Sequence, residues 1–456
     1  MSRARPSWPS RPQPAAPTTD RSLVPIGMAT ILPQTAQRIR LIEDRVLRTL
    51  ALWGYQEIIP PTFEYLDVLQ AGLESDLIEK SFKFPDRATG RILLLRPDVT
   101  AQIARIVAMG MIPDRPPLRL SYRTTVFRYE PQHAGREQET FQVGAELIGA
   151  DDVATDSEMI ALMIDCLSEL GLPSFRISLG HVGFFKGLLS ESGLSRDGQK
   201  LAEQATARKD LPGLEALLIR ERVSKKRARA ILDAPGLYGG EEVLRRGRRL
   251  AGRSRPLRTA LDRLAAVYGV LCAAGMQDRL VLDLGEFRGF DYYDGIVFDI
   301  FADGIGCELG GGGRYNHLIG RFGRDLPSTG FAFDVDRLFR AMERIASPSS
   351  LTAVDLVVTG PTRRADRVFQ AARRLRDAGV RVLQGRAVSD LRSAQRTAVD
   401  EARRVRANGV VLVGLSGQRE DEALVLTIVS DKTVSRSVMK LKDVPDAPWR
   451  ARRRLP

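Results

Sequence analysis

One stretch, residues 286–337, constrains the fold more than any other part of this chain. It begins with Glu-Phe-Arg-Gly-Phe-Asp-Tyr-Tyr at 286–293, directly after an apolar run at 280–285 that is typical of a strand. A second strand-like run follows at 295–301, and we interpret the four glycines at 310–313 as a turn. The stretch therefore places a charged and aromatic octapeptide among strands.

The octapeptide combines one cation and two phenols that suit a small, flat, polar ligand. Arg288 has a fixed fork of donors that matches a carboxylate, while Tyr292 and Tyr293 offer ring faces and hydroxyls. Because neighbouring residues on a strand point to opposite faces, we expect at most one of these tyrosines to face a pocket directly. A surface arginine beside a tyrosine pair packed in a sheet explains the octapeptide equally well.

Length and composition predict a soluble protein of two or three domains, because 456 residues exceed one ordinary core. No run is apolar enough to cross a membrane, and no secretion signal opens the chain. Three widely spaced cysteines predict reduced thiols, so we expect a cytoplasmic location. With only three histidines and no metal-ligand spacing, neither a metal nor a cofactor is expected.

The formal charge of +13 is concentrated near the C-terminus, where residues 351–456 contain 22 Lys and Arg against 12 Asp and Glu. Such a balance raises the hypothesis of an RNA partner. Phe369 and Trp449 are the only aromatic residues in this region that could stack on bases. We therefore favour a solvated basic helix face and a disordered basic tail.

Composition divides the chain into segments. Residues 1–22, rich in Pro, Arg, Ser and Thr, predict a disordered tail. Residues 190–276 are basic and almost wholly helical, which indicates an inserted helical subdomain. After a linker at 346–350, strands alternate with helices, so residues 351–445 predict a small α/β domain with a largely parallel sheet. For residues 446–456, the composition predicts a basic tail.

Before the insertion, the pattern predicts a long helix at 31–54 and strands at 55–62, 118–130 and 140–148. The period of two places Gln142, Gly144 and Glu146 on one face of the last strand, opposite its apolar residues. His181 ends a further predicted strand, where a histidine bonded to the backbone is commoner than a ligand. The predicted helix at 31–54 carries apolar residues at helical spacing, and they are Ile39, Ile42, Val46 and Leu50.

Four short sequence motifs, when they occur together and in this order, indicate a protein family far more specifically than any one of them does alone. They are residues 96–100 (Arg-Pro-Asp-Val-Thr), 127–130 (Phe-Arg-Tyr-Glu), 288–293 (Arg-Gly-Phe-Asp-Tyr-Tyr) and 330–338 (Gly-Phe-Ala-Phe-Asp-Val-Asp-Arg-Leu). The first and third resemble the histidine-recognition segments of the histidyl-tRNA synthetase family, and the others resemble the second and third motifs of class II synthetases.

The resemblance covers about residues 24–340 and, more weakly, the C-terminal α/β domain. It implies an α+β fold in which residues 23–345 form a class II synthetase-like antiparallel sheet flanked by helices, with the helical insertion. Residues 351–445 would then be a degraded anticodon-binding domain.

Residue by residue, the resemblance implies a pocket for histidine. Asp98, Thr100 and Gln142 would accept from its α-ammonium group, and Arg288 would pair with its carboxylate. The imidazole nitrogens would be held by Glu146 and Tyr293, with Tyr292 supporting the wall. A vestigial ATP site would consist of Arg128, Glu130, Arg136 and Arg337.

Two departures from the synthetases bear on activity. Where they have a basic and aromatic loop, residues 137–140 read Glu-Gln-Glu-Thr, which places two carboxylates where polyphosphate should lie. The usual Glu-Gly-Thr of the first recognition segment is Asp-Val-Thr, so Val99 crowds a position normally open to substrate.

This variant pattern is similar to the sequences of the regulatory branch of the family, the ATP phosphoribosyltransferase regulatory subunits. Three further segments, residues 95–105, 179–183 and 283–289, resemble the same branch. The resemblance implies a non-catalytic protein that forms a homodimer through its synthetase-like core. It would assemble with the short-form ATP phosphoribosyltransferase catalytic subunit in the first step of histidine biosynthesis, with L-histidine as its effector. No membrane contact is expected, and tRNA binding is not favoured.

Two alternatives belong to other functional classes. An authentic histidyl-tRNA synthetase with an unusual loop would catalyse histidine-dependent exchange between ATP and pyrophosphate. A histidine-binding RNA adaptor would shift labelled tRNA in a manner that weakens steeply with salt.

Overall fold

The structure is a computed structural model. It describes residues 24–25, 27–129, 138–285, 292–345, 354–386, 391–430, 433–447 and 449. The predicted tail at 1–22 lies outside the described residues. The chain divides into two compact units, residues 1–347 and 348–456.

The described part of the first unit contains twelve strands and twelve α-helices. The strands are β1 Gln56–Glu57, β2 Phe63–Tyr65, β3 Lys83–Pro85, β4 Ile92–Leu95, β5 Leu118–Phe127, β6 Glu139–Ile148, β7 Phe175–His181, β8 Tyr238–Gly239, β9 Leu280–Asp283, β10 Ile296–Ala302, β11 Gly310–Arg314 and β12 Ser328–Asp334. The helices are α1 Pro33–Leu52, α2 Leu66–Leu69, α3 Ser75–Glu79, α4 Val99–Ala108, α5 Val153–Glu169, α6 Val182–Ser190, α7 Arg196–Ala207, α8 Leu211–Arg220, α9 Lys225–Asp233, α10 Glu242–Ala251, α11 Arg255–Ala273 and α12 Val335–Ile345.

Nine of these strands form one sheet in the order β1-β5-β6-β12-β11-β10-β7-β9-β8. The six central strands, from β5 to β7, pair antiparallel throughout, and parallel pairing occurs where β1 meets β5 and β7 meets β9. Helices α1, α5, α6 and α11 bury their apolar faces in one continuous core with this sheet. The predicted α+β fold, an antiparallel sheet flanked by helices, is confirmed.

Helix α1 follows the predicted periodicity. Pro33 occupies its first turn, where a missing N–H costs nothing, and all four apolar residues at helical spacing are buried. Gly54, just after the helix end, has a φ of 83°, which glycine adopts without strain.

The four glycines at 310–313 are not a turn. They belong to strand β11, which lies between β10 and β12. A Cβ on Gly312 would lie 1.9 Å from the carbonyl oxygen of Gly330 on the neighbouring strand. Glycine is therefore used here for close approach between strands and not for chain reversal.

A smaller sheet, in the order β2-β4-β3, positions the first recognition segment. Strand β4 ends at Leu95, and the chain passes directly into α4, whose N-cap is Asp98. Arg96 fixes this connection because its guanidinium donates to the backbone oxygens of Thr125, Pro60 and Pro61.

The second unit contains strands β13 Leu356–Thr359, β14 Val382–Gln384, β15 Gly409–Leu412, β16 Glu422–Ile428 and β17 Val434–Lys440, with helices α13 Ala365–Asp377 and α14 Leu391–Arg404. The prediction of a largely parallel sheet is wrong. Strand β13 pairs parallel with β14 and β15, but β15, β16 and β17 pair antiparallel, so the sheet is mixed. The predicted tail at 446–456 also begins too early, since Ala447 and Trp449 are buried in the core of this unit.

Across the described ranges, we find no helix with the length and apolar character needed to span a bilayer.

Candidate functional site

A cavity of about 160 Å³ opens between the large sheet and the N-terminal end of α4. Eight of the predicted site residues line it. They are Asp98, Thr100, Arg128, Gln142, Glu146, Tyr292, Tyr293 and Arg337. The sequence therefore identified residues far apart in the chain that the fold brings together.

Three predicted residues, Arg288, Glu130 and Arg136, lie outside the described residues. Their roles stay predictions.

Strand β6 supplies one wall of the cavity. Gln142 and Glu146 face it, whereas Val143 and Ala145 are fully buried in the core on the opposite side. This confirms the face predicted from the period of two. Gly144, between the two polar residues, leaves room for the ring of Tyr122 on the neighbouring strand β5, because a Cβ there would lie 2.6 Å from the Tyr122 hydroxyl.

The expectation that only one of the two adjacent tyrosines faces the pocket is wrong. Tyr292 and Tyr293 are both buried, both line the cavity, and their ring centroids are 4.7 Å apart. They precede strand β10 and lie outside any strand, so side-chain alternation does not apply to them.

Glu146 is the most deeply buried of the described carboxyls that line the cavity. Its side chain is 1% exposed and accepts hydrogen bonds from the Thr100 hydroxyl, at 2.8 Å, and from the Tyr315 hydroxyl. Burial raises the pKa of this carboxyl to about 8, although both hydroxyl donors oppose the shift. The carboxyl packs against Gly330 of strand β12. A Cβ on Gly330 would lie 1.6 Å from the Glu146 Oε2 atom, so only glycine fits there.

Asp98 is the second buried carboxyl of the cavity. As the N-cap of α4, it accepts from the backbone N–H of Ala101 at 2.9 Å. Burial raises its pKa, and the Arg128 guanidinium, 4.0 Å away, is the main opposing influence. The Tyr292 hydroxyl also bonds to it.

The two predicted phosphate-binding cations are already engaged by protein groups. Arg337 pairs with Glu308 at 2.7 Å and with Asp334 at 2.9 Å. Arg128 donates from Nε to the backbone oxygen of Pro97 at 2.8 Å. The described lining of the cavity contains four carboxyls but only these two guanidinium groups. The carboxyls are those of Asp98, Glu146, Glu308 and Asp334.

Sequence reasoning missed Tyr315 and Tyr122. Tyr315 follows directly after strand β11, so its place depends on the glycine strand that was interpreted as a turn. Tyr122 could have been found, because it lies on the same face of the predicted strand as Leu118 and Leu120, four and two residues earlier.

His181 bonds to the backbone at the end of its strand, as predicted. Its Nδ1 accepts from the backbone N–H of Gly183 at 3.1 Å and so caps helix α6, and burial lowers its pKa to about 4. In the portion of the chain that the structure describes, no cluster of His, Cys, Asp and Glu is suited to a metal ion.

A model of the histidyl-tRNA synthetase family matches residues 27–338. The "ATP phosphoribosyltransferase regulatory subunit" of Geobacter metallireducens is 37% identical over 409 residues, which cover 90% of this chain and 93% of that protein. The protein of the same name from Moorella thermoacetica is 40% identical and covers 82% of this chain and 95% of its own length.

Solved structures agree with the sequence relatives. An ATP phosphoribosyltransferase regulatory subunit/histidyl-tRNA synthetase from Bacillus halodurans is 28% identical, with a TM-score of 0.73 over 83% of this chain and 98% of that chain. A histidyl-tRNA synthetase from Nostoc has a TM-score of 0.78 over 94% of this chain and 99% of its own, but at 19% identity it shares only the fold.

The matched family and the fold both point to a histidyl-tRNA synthetase scaffold, and the names of the sequence relatives support a non-catalytic role on it. The chain therefore belongs to the family of ATP phosphoribosyltransferase regulatory subunits, a branch built on the histidyl-tRNA synthetase fold.

Proposed function

We propose that this chain activates a short-form ATP phosphoribosyltransferase in the first step of L-histidine biosynthesis and transmits feedback inhibition by histidine. The cavity is the observation that carries the proposal, because its lining brings together eight residues predicted to hold histidine or ATP. Histidine in this cavity would shift the assembly between states of different activity, which requires a different affinity for each state.

The chemistry of the lining supports an amino-acid ligand. Asp98 and Gln142 offer acceptors for an α-ammonium group, and Glu146 offers one for an imidazole N–H. The volume of about 160 Å³ suits a single amino acid and is small for the 300–1,000 Å³ of drug-sized ligands.

Polyphosphate is a poor match for the same lining. The cations that would hold it are bound by protein groups, Arg337 by two carboxylates and Arg128 by a backbone oxygen. An incoming phosphate would have to displace those carboxylates or lie beside them, and the repulsion between like charges is stronger inside a protein than in water. This supports a protein that has kept amino-acid binding and lost aminoacylation.

Co-purification with a short-form ATP phosphoribosyltransferase, followed by an activity assay, tests the proposal. We expect a stable complex, transferase activity that depends on this chain, and inhibition by histidine. Failure of the two proteins to associate would refute the proposed partnership.

An authentic histidyl-tRNA synthetase is the second candidate, because the scaffold and two phosphate-side arginines are retained. Histidine-dependent exchange between ATP and pyrophosphate by the purified chain would establish this function and remove the first. An RNA adaptor without catalysis is supported by the basic C-terminal region alone.

We also propose that the synthetase-like core forms a homodimer through the sheet edge at β1. Strand β1 ends the sheet order, and large apolar side chains on either side of it, Leu52 and Ile59, are 82% and 84% exposed. Replacing Ile59 by Asp should convert dimers to monomers in sedimentation velocity. Ile219→Asp on helix α8, where the isoleucine is 71% exposed, is the matched control and should leave the dimer intact.

A further inference from the structure

We propose that the second unit holds a binding site for a small organic phosphate, in a groove between helix α14 and strands β16 and β17. All of the described lining of this groove lies between Gln395 and Arg436, within residues 348–456. The inference goes beyond the proposed function and does not depend on it.

The groove arises because helix α14 covers only part of one face of the sheet. The helix packs against β13 and β15, in a core that includes Val357 and Val410. On the same face, Val438 of the edge strand β17 pairs with Leu424 of β16 and is 67% exposed. A space of about 280 Å³ lies between the helix and these two outer strands.

Three arginines from two elements line this groove. Arg396 and Arg403 lie seven residues apart, on one side of α14 and two turns from each other. Arg436 lies on β17, directly opposite Leu426 of β16. The described lining contains one carboxylate, that of Asp400, so two positive charges are in excess.

The three guanidinium groups have donors available for a ligand. Within the part of the chain that the structure describes, Arg396 and Arg436 form no ion pair. Arg403 lies 3.9 Å from Asp400, and its Nε is buried without a hydrogen-bond partner. A buried N–H that donates to nothing costs free energy, and an anion bound beside Arg403 would supply an acceptor.

The excess of charge favours a phosphate monoester over a carboxylate. A monoester carries about −1.5 to −2 charges at pH 7 and three acceptor oxygens, which the forked donors of arginine bind in pairs. A carboxylate would neutralise only one of the two charges in excess. The apolar lining residues, Val399, Leu426 and Val434, suit the organic part of such a ligand.

Single-stranded RNA matches the groove less well than a small phosphate does. RNA of this kind binds by stacking its bases on aromatic side chains. The two aromatic residues of this region are placed elsewhere, because Trp449 is fully buried and Phe369 belongs to α13, which packs on the opposite face of the sheet. The volume is also close to the lower limit of about 300 Å³ for drug-sized ligands, which is enough for one small molecule.

Titration calorimetry of the purified full chain with three probes tests the inference. Phenyl phosphate has a doubly charged head and a flat apolar body, inorganic phosphate has the head alone, and benzoate has the same ring with a single charge. We expect phenyl phosphate to bind at least about tenfold more tightly than either of the others, because it alone uses both the cations and the apolar lining.

Variants locate the binding. Arg396→Gln and Arg436→Gln should each weaken phenyl phosphate binding roughly tenfold to a hundredfold, because each removes charge-assisted hydrogen bonds. Both arginines are exposed, so the Tm should stay unchanged and a loss of binding would not reflect a loss of fold. Arg404→Gln is the matched control. It makes the same change of charge on the same helix, where Arg404 is 69% exposed, pairs with Glu401 and does not line the groove.

The outcomes that would overturn the site are distinct. Absence of phenyl phosphate binding by the wild-type chain, or equal weakening by Arg404→Gln, would show that the groove is no specific site. Phenyl phosphate that binds no more tightly than benzoate would refute the preference for phosphate. An RNA of about twelve nucleotides that displaces phenyl phosphate, with an affinity that falls steeply with salt, would assign the groove to nucleic acid instead. None of these results bears on histidine binding in the first unit.

Discussion

Single side chains underlie the proposed preference of the cavity for a cationic amino acid. Two buried carboxyls, Asp98 and Glu146, have raised pKa values because burial disfavours their charged forms. A ligand that brings an ammonium and a basic ring offsets that cost, whereas a phosphate adds to it. The same residues thus explain both the proposed retention of histidine binding and the proposed loss of ATP chemistry.

Gly330→Ala tests how tightly the site is built. A Cβ at this position would lie 1.6 Å from Glu146 Oε2 and 2.8 Å from the backbone oxygen of Ala145, so the carboxyl must move. We expect loss of histidine binding in calorimetry and a destabilisation of about 1–3 kcal/mol in thermal unfolding. Gly269→Ala, in helix α11 with no atom within 4 Å of the added Cβ, is the control and should leave binding intact.

Arg288→Ala tests the carboxylate partner that the resemblance implies. Loss of a charge-assisted pair should weaken histidine binding by about 1.5–3 kcal/mol, while the sedimentation coefficient of the proposed homodimer stays unchanged. Unaltered histidine affinity would refute this role for Arg288.

Whole elements show what the sequence can and cannot specify. Periodicity predicted α1 and the faces of β6, because a buried face repeats every 3.6 or two residues. It failed for β11, since a run of glycines carries no side-chain pattern and resembles a turn. The position of Tyr315 against Glu146 depends on how β11 and β6 pair with β12, which no local pattern encodes.

A buried ion pair joins the elements behind the cavity. Asp156 of α5 accepts from Arg314 of β11 at 2.7 Å and pairs with Arg263 of α11, also at 2.7 Å, and Asp156 and Arg314 are almost fully buried. Asp156→Ala should cost about 3–5 kcal/mol in denaturant unfolding, because it leaves the buried Arg314 charge with only the more distant carboxylate of Asp151, at 3.5 Å. The exposed pair of Arg248 and Asp262 gives the control, and Asp262→Ala should change stability by less than about 1 kcal/mol. Equal effects would show that the buried pair has no special role.

For the molecule as a whole, the cavity is confined to one of the two units. All of its described lining lies between Asp98 and Arg337, within residues 1–347. A fragment of residues 1–347 should therefore bind histidine in calorimetry with an affinity within about threefold of the full chain, less than 1 kcal/mol. A larger loss would show that residues 348–456 contribute to the site.

We propose that histidine acts on the transferase through this cavity. The most direct test is the histidine inhibition curve of the reconstituted complex, measured with the wild-type chain and with the Gly330→Ala chain under matched protein concentrations. We predict that histidine inhibits the wild-type complex and that the variant complex stays active while its inhibition shifts to much higher histidine concentrations. Identical inhibition curves for the two complexes would contradict a role of this cavity in inhibition by histidine.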